Sequence, residues 1–292
     1  MKGARVMSEN AIEIKGLNKS FGKFSIEGLS LELPKGCIMG LIGENGAGKS
    51  TLIRLIMNAS NADSGEISVL GTDIKSEGFI GTKDDIGIVL DTPCFAENLK
   101  AARIDKIMSG YYSKWSSERF FELLERFEID PKIRFNKLSK GMKMKLSIVA
   151  ALSHEAKLLI LDEPTSGLDP MVRDELLDIL IDFTRDEEHS VLISSHIISD
   201  LEKICDLVAF LHKGRLIIND EKDALLERYS VVKLTEQQLK ELPKNAYIGA
   251  RKGKYSCEAL MENSKVPEGF TKEHTTLEEI ILFTVRDERE AV

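Results

Sequence analysis

No apolar run in the 292-residue chain approaches the roughly 18 residues that a membrane-spanning helix needs. Met1 to Asn10 carries Lys2 and Arg5 but no apolar stretch after them, which excludes a secretory signal. A basic excess is missing too. The 40 Lys and Arg are outnumbered by 48 Asp and Glu, and the net charge of -8 argues against a nucleic-acid binder. Cysteine is sparse. Cys37, Cys94, Cys205 and Cys257 lie far apart, so they form no metal-binding pattern, and a reduced cytosolic protein is the simplest reading. Cys37 and Cys205 sit in apolar stretches, where a small buried side chain is the default role. There is no N-K-x-D sequence for guanine recognition. What remains is ordinary for a soluble globular chain: 42 % hydrophobic and 30 % charged residues, long enough for one large or two modest domains.

Against that plain background stands Gly43 to Thr51, GENGAGKST, which fits the phosphate-binding pattern G-x-x-x-x-G-K-[ST]. Gly43, Gly46 and Gly48 tolerate backbone angles that turn several N–H groups toward one anion. Lys49 supplies a point charge for the outer phosphates, and Ser50 offers a hydroxyl to Mg²⁺. Before the loop, Cys37 to Ile42 reads as a short buried strand; after it, Thr51 to Met57 reads as a helix whose positive end faces the phosphates.

The rest of the chain reads as an α/β frame with insertions. Ala11 to Leu17 and Phe24 to Leu33 alternate apolar and polar, around a turn at Ser20 to Lys23, and predict antiparallel strands. Glu66 to Leu70 and Ile86 to Leu90 are further strands. From Thr92 the character changes, with helices expected over Ala101 to Tyr112, over Ser116 to Phe127, and after Ser139. Leu158 to Leu161 is a continuous apolar run, as in a strand buried on both faces. Asp169 and Pro170 open a helix to about Asp186. Val191 to Ile193 is a strand, Ile197 to Ile204 a helix, and Leu207 to Leu211 with Leu216 to Ile218 a terminal hairpin. Beyond Arg228, strands are expected at Val231 to Leu234, Tyr247 to Ala250 and Lys254 to Glu258, and a helix at Leu277 to Val285. The expected division is a polar leader at 1–10, a nucleotide-binding domain at 11–228 with a helical subdomain at about 92–153, and a C-terminal extension at 229–292.

Two more stretches carry chemistry. Leu158 to Glu163, LLILDE, ends an apolar strand in carboxylates, as a Mg²⁺ site beside a phosphate loop requires. Asp162 would hold the ion through water, and Glu163 would orient and deprotonate an attacking water. Leu138 to Met142, LSKGM, places Ser139 and Gly141 at a helix N-terminus, a good anion site but also a common cap.

Taken in order, GENGAGKS, LSKGM, LLILDE, Ser166-Gly167-Leu168-Asp169 and His196 resemble the ATP-binding cassette family over about Ile12 to Asp220. The resemblance implies an α/β fold: a P-loop NTPase core with an antiparallel β subdomain, an inserted all-helical subdomain and here a small C-terminal α/β extension. It implies ATP hydrolysis with Mg²⁺. The ATP contacts it implies are Gly43, Asn45, Gly46, Ala47, Gly48, Lys49, Ser50 and Thr51, joined by Phe21, Ser139, Gly141 and Asp169. Ser50, Asp91 and Asp162 are the metal candidates, and Glu163 and His196 the catalytic ones, His196 as a switch that contacts the γ-phosphate. Phe21 matches the aromatic on which adenine stacks, although a strand-end core aromatic reads the same in sequence. His154, His189, His212 and His274 match nothing in the pattern. Two departures stand out. Asp91 replaces the family's usual Gln, either as a ligand near Mg²⁺ or as a plain loop carboxylate. Lys140 and Met142 alter the signature while Ser139 and Gly141 are kept.

With Asp91 and LSKGM, the aromatic run Tyr111, Tyr112 and Trp115 resembles the branch of bacterial ABC-2-type exporter ATPases that includes YtrB-type and phenol-soluble-modulin exporter cassettes. That run is either core packing or a contact surface for a membrane partner. One phosphate loop and one signature per chain imply a homodimer formed upon ATP binding, Lys49 of one copy facing Ser139 of the other. The expected partner is a separate transmembrane permease, with the protein at the inner face of the cell membrane. The competing reading is a soluble cassette ATPase working mechanically on ribosomes or DNA. It is disfavoured by the acidic charge, the single cassette and the lack of a long coiled coil.

Overall fold

The computed structural model describes residues 9–290 apart from 93, 94 and 255. Most of the expected leader, Cys94, and Tyr255 in the expected Lys254 to Glu258 strand lie outside the described residues. A six-stranded sheet forms the centre, in the order Arg215–Glu221, Leu207–His212, Ile38–Ile42, Ser190–Ser195, Leu158–Asp162, Ile86–Val89. All neighbours are parallel except the antiparallel edge strand Arg215–Glu221. The apolar runs of the sequence become Ile38–Ile42, Leu158–Asp162, Ser190–Ser195 and Leu207–His212, buried along almost their whole length because they are covered on both faces.

Alternation along the strands splits the core in two. Ile38 and Ile42, Leu159 and Leu161, Val191 and Ile193, and Val208 and Phe210 face the helical side, where they pack with Phe120, Leu124 and Leu146. Met39 and Leu41, Leu158 and Ile160, Leu192, and Ala209 and Leu211 face the other way, with Leu52 and Ile56 of the helix Lys49–Ile56 and with Ile12, Leu29 and Ile67. These last come from an antiparallel sheet in the order Phe24–Pro34, Asn10–Phe21, Ser64–Val69, Thr72–Asp73. A period of two is what sends neighbouring residues into different cores.

The opening hairpin is tighter than the sequence suggests. Ser20 and Phe21 are not in the turn. They pair with Ser25 and Phe24, and the loop is Gly22 and Lys23 alone. Gly22 takes φ 59°, which a two-residue loop of this kind demands. The pair Leu207–His212 and Arg215–Glu221 is not a terminal appendage either, since its first strand is a parallel neighbour of Ile38–Ile42 in the central sheet.

The helical insertion holds Ala101–Met108, Ser117–Arg126 and Lys140–Leu152. The first helix stops four residues before Tyr112, at Ser109 and Gly110. The chain then turns inward: Trp115 Nε1 donates to Asp105 Oδ1 at 2.9 Å, and Tyr112 stacks on His154 with centroids 4.1 Å apart. Thus Tyr112 and Trp115 pack inside, while Tyr111 is 82 % exposed. His154 Nε2 lies 3.2 Å from Ile86 O, so this histidine ties the insertion to the edge strand.

Burial pushes the His154 imidazole below its ordinary value, against backbone bonds and the nearby Asp84 and Asp85 that favour its proton. A base depressed in the folded state takes its proton later than in the unfolded chain. Its contribution to stability is therefore present above about pH 6.5 and lost as pH falls below it. Thermal melts at about pH 7.5 and about pH 5.5 should show wild type losing more stability on acidification than His154→Phe. Equal losses would mean that His154 does not carry the effect.

A third sheet follows Arg228, in the order Gly249–Lys252, Cys257–Glu262, Tyr229–Leu234, Lys272–Glu273. Gly249–Lys252 and Cys257–Glu262 begin two and three residues later than the sequence pattern suggests, and Tyr229–Leu234 begins two residues earlier. Gly249 packs directly against backbone, since a Cβ on it would sit 2.3 Å from Phe283 O. The short helices Lys222–Arg228 and Glu236–Glu241 are not anticipated, although Thr235 and Gln238 form a capping box legible as T-x-x-Q. Among the described residues no helix is long and apolar enough to cross a membrane.

Candidate active site

The phosphate loop lies between the central strand Ile38–Ile42 and the helix Lys49–Ile56. Two glycines are forced by crowding. A Cβ on Gly43 would sit 2.5 Å from Leu211 O, and Gly48 has φ 112° with Phe24 Cζ 2.7 Å from the position of a Cβ. Gly43 and Ala47 are buried beneath the loop, while Asn45, Gly46, Gly48, Lys49, Ser50 and Thr51 face a crevice of about 440 Å³. Asp91 and Glu163 face them from the opposite wall.

Lys49 is buried and doubly held. Its Nζ donates to Gly43 O at 2.6 Å and lies 3.3 Å from Glu163 Oε1. Glu163 Oε2 is 2.6 Å from His196 Nδ1 and accepts from the His196 N–H at 3.2 Å. One carboxylate thus joins the phosphate-loop lysine to His196. Its placement depends on a left-handed residue, Glu163 at φ 52°, a backbone conformation that costs about 1–3 kcal/mol. The Glu163 N–H is held in return by Ser194 Oγ at 3.0 Å and Ser194 O at 3.1 Å.

Ser194 is the residue that motif reasoning misses. Its hydroxyl also donates to Asp162 Oδ1 at 2.6 Å, so a single buried serine holds the Asp162 carboxylate and the Glu163 backbone. The signal available was a polar Ser194-Ser195 pair closing an apolar strand. Phe24 is the second omission: it lines the crevice, whereas Phe21 does not. Phe21 stands at the strand end, 47 % exposed, with Lys19 Nζ 5.0 Å from its ring. Its exposure removes the core-aromatic reading and leaves a half-exposed ring at the hairpin end with Lys19 over it.

Ser139, Gly141 and Asp169 do not reach this crevice. Ser139 caps the helix Lys140–Leu152 by accepting from Met142 N at 3.2 Å, and Asp169 caps Pro170–Phe183 by accepting from Val172 N at 3.1 Å. The two caps are neighbours, since a Cβ on Gly141 would lie 3.0 Å from Gly167 O. The signature and the Ser166–Asp169 loop are therefore one surface, separate from the phosphate loop of the same chain.

The donors suit a magnesium nucleotide. Ser50 and Asp91 line the crevice and Asp162 precedes Glu163, and all three offer the hard oxygen donors that Mg²⁺ requires. Among the described residues no group of three or more His, Cys, Asp or Glu is arranged to hold a metal. The ion's remaining ligands would have to be phosphate oxygens and water, the usual manner for Mg²⁺ with a nucleotide.

The comparisons agree with this geometry. Residues 26–166 match the ABC transporter family model. The chain is 33 % identical over 224 residues to the ABC transporter ATP-binding protein YtrB of Bacillus subtilis, covering 76 % of each chain. It is 35 % identical over 233 residues to the Nod factor export ATP-binding protein I of a Rhizobium strain, covering 76 % of this chain and 75 % of that one. A solved ATP-binding subunit of an ABC transporter superposes with a TM-score of 0.65 at 29 % identity, covering 74 % of this chain and 91 % of the other. With Lys49 of its phosphate loop beside Glu163, and Glu163 in turn against His196, this chain belongs to the ATP-binding cassette family, as an ATP-hydrolysing subunit of a membrane transporter.

Proposed function

We propose that two copies of this chain close head to tail around two ATP molecules and drive a separate permease in the direction of export. The observation that carries this is the division of the phosphate-binding surfaces. Lys49 and Glu163 line one crevice and His196 touches Glu163 from behind it, while Ser139 and Gly141 do not line that crevice. A second copy would supply the missing signature. In this reading Gly43 to Thr51 hold the phosphates, Phe21 stacks on adenine and Asp169 lies at the dimer interface. Ser50, Asp91 and Asp162 hold Mg²⁺, which neutralises phosphate charge when bound. Glu163 accepts the proton of the attacking water, and His196 orients Glu163 and meets the γ-phosphate. Hydrolysis would remove the bridging phosphate and let the copies part.

Sedimentation with and without ATP tests the dimer. Wild type should double in mass with ATP when hydrolysis is slowed, and Ser139→Arg should stay monomeric while still binding nucleotide. A Ser139→Arg chain that dimerises normally would overturn the head-to-tail arrangement.

The permease reading draws support from the export and transport relatives and from one exposed surface. Ile80 and Tyr111, 81 % and 82 % exposed, flank a crevice of about 580 Å³ with Lys83, Met108 and Tyr112. Apolar side chains so exposed are the usual mark of a partner surface. The double variant Ile80→Asp, Tyr111→Asp should lose co-purification with a multi-span membrane protein and keep basal ATP hydrolysis. Retained co-purification would place the docking surface elsewhere. Co-purification of wild type with ribosomes instead would favour the mechanical-ATPase alternative. The placement that follows is the cytoplasmic face of the membrane, without direct contact to nucleic acid.

A further inference from the structure

The terminal helix, Leu277–Glu290, returns from the appended sheet to the nucleotide site. Its start is tied to the segment that carries the switch histidine. The Leu277 N–H donates to Glu202 Oε2 at 3.1 Å, and Glu202 belongs to the helix Ile198–Ile204, which begins two residues after His196. Leu277 and Ile280 are fully buried in the same core as Leu201 and Ile204. Farther along, Ile281, Leu282 and Val285 form one wall of a crevice of about 400 Å³, and Gly43, Glu44 and His196 stand on the other side.

The extension cannot shift without moving this helix, because the strand Gly249–Lys252 lies against its backbone at Phe283 with no room for a side chain at Gly249. The Ile198–Ile204 helix is clamped on its far side as well. Lys203 Nζ bonds Asp174 Oδ1 at 3.0 Å, and Arg173 Nε lies 3.8 Å from Asp200 Oδ2. Both of those partners belong to the helix that Asp169 caps. His196 therefore projects from a short segment whose direction is set by two packed helices, one of them contributed by the extension.

We propose that the C-terminal extension positions His196 for turnover, through Glu202 and the wall formed by Leu282. The inference rests on the ATPase reading of the site and adds a role for the 229–292 region within it. His196 holds Glu163 Oε2 through its ring Nδ1 at 2.6 Å and its N–H at 3.2 Å, so a small rotation of the segment after His196 lengthens both contacts without touching the phosphate loop. Misplacement of a catalytic group by about 1 Å is enough to cost rate while leaving binding intact.

The test uses the full chain and steady-state ATP hydrolysis, with kcat expressed per bound nucleotide so that misfolded protein does not count. Glu202→Ala removes the acceptor of the Leu277 N–H and should lower kcat about tenfold with KM for ATP within about twofold. Glu202→Gln keeps an acceptor oxygen and should restore kcat. Leu282→Trp, which overfills the crevice from the helix side, should lower kcat in the same KM-neutral way. The proposal is overturned by a kcat at or above wild type in Glu202→Ala and Leu282→Trp, by kcat and KM shifting together, or by Glu202→Gln failing to rescue. A wild-type chain that binds no ATP would instead sink the reading of the site itself.

Discussion

Glu163→Gln is expected to lower ATP turnover by about 10²- to 10⁴-fold while leaving nucleotide binding intact. Glu163 contacts both the phosphate-loop lysine and His196, at 3.3 Å and 2.6 Å. The amide keeps the side-chain length and can still accept from the His196 N–H, but it cannot take a proton from water. Removing a negative charge beside the phosphates also favours ATP, so affinity should hold or rise. Bound but unhydrolysed ATP should then accumulate the dimer, visible as a doubled mass in sedimentation. Full turnover by Glu163→Gln would remove Glu163 as the base. Slow turnover without dimer would break the link between ATP and pairing.

Lys49→Ala is expected to weaken ATP binding by about 10²- to 10³-fold. The lysine is 7 % exposed and makes two polar contacts, to Gly43 O and to Glu163. Without it, Glu163 and Asp162 face the incoming phosphates with no buried cation between them. A loss of that size is about 2.7–4.1 kcal/mol of binding free energy, given up with the charge-assisted contacts of the ammonium to the phosphate oxygens. Lys49→Arg should not rescue fully, because a planar guanidinium cannot reproduce a compact ammonium folded back onto Gly43 O. Titration with a fluorescent ATP analogue measures the effect, with melting temperature as a control for folding. An affinity within about twofold of wild type would show that the loop's backbone N–H groups, not Lys49, carry the phosphate.

The two experiments separate binding from chemistry. Lys49→Ala acts on the ground state and should raise KM. Glu163→Gln acts on the transition state and should lower kcat. The Glu202 variants act at one remove, on kcat through the seating of His196. Reversal of the pattern, with Glu163→Gln raising KM alone, would exchange the roles assigned to the two residues.

Much of the site was legible in residue order because its parts are local. GENGAGKST encodes its own turn geometry, since glycine alone tolerates the angle at Gly48 and the crowding at Gly43. LLILDE declares a strand buried on both faces by its unbroken apolar run. Ser139 and Asp169 announce helix starts by their own side-chain caps. Legibility faded where contacts are distant or weak. The hairpin turn was placed two residues early because strand pairing, not composition, decides where pairing stops. The two strands after Tyr247 start later than their apolar pattern does, where Gly249 packs against the backbone of Phe283, a contact far along the chain. Tyr111, Tyr112 and Trp115 read alike in sequence and part company only when the chain turns inward at Gly110.

The sequence by itself determined which chemical groups the protein owns and which stretches must be strand, helix or phosphate loop. Those properties follow from side-chain type and from neighbours within a few residues. Only the tertiary structure decided that Lys49, Glu163 and His196 share one carboxylate, that Ser194 holds both acidic residues, and that the terminal helix comes back to the switch segment. The central sheet sets Leu158–Asp162, Ser190–Ser195 and Ile38–Ile42 side by side. That order is chosen by burying apolar faces across the whole chain, and no local pattern contains it.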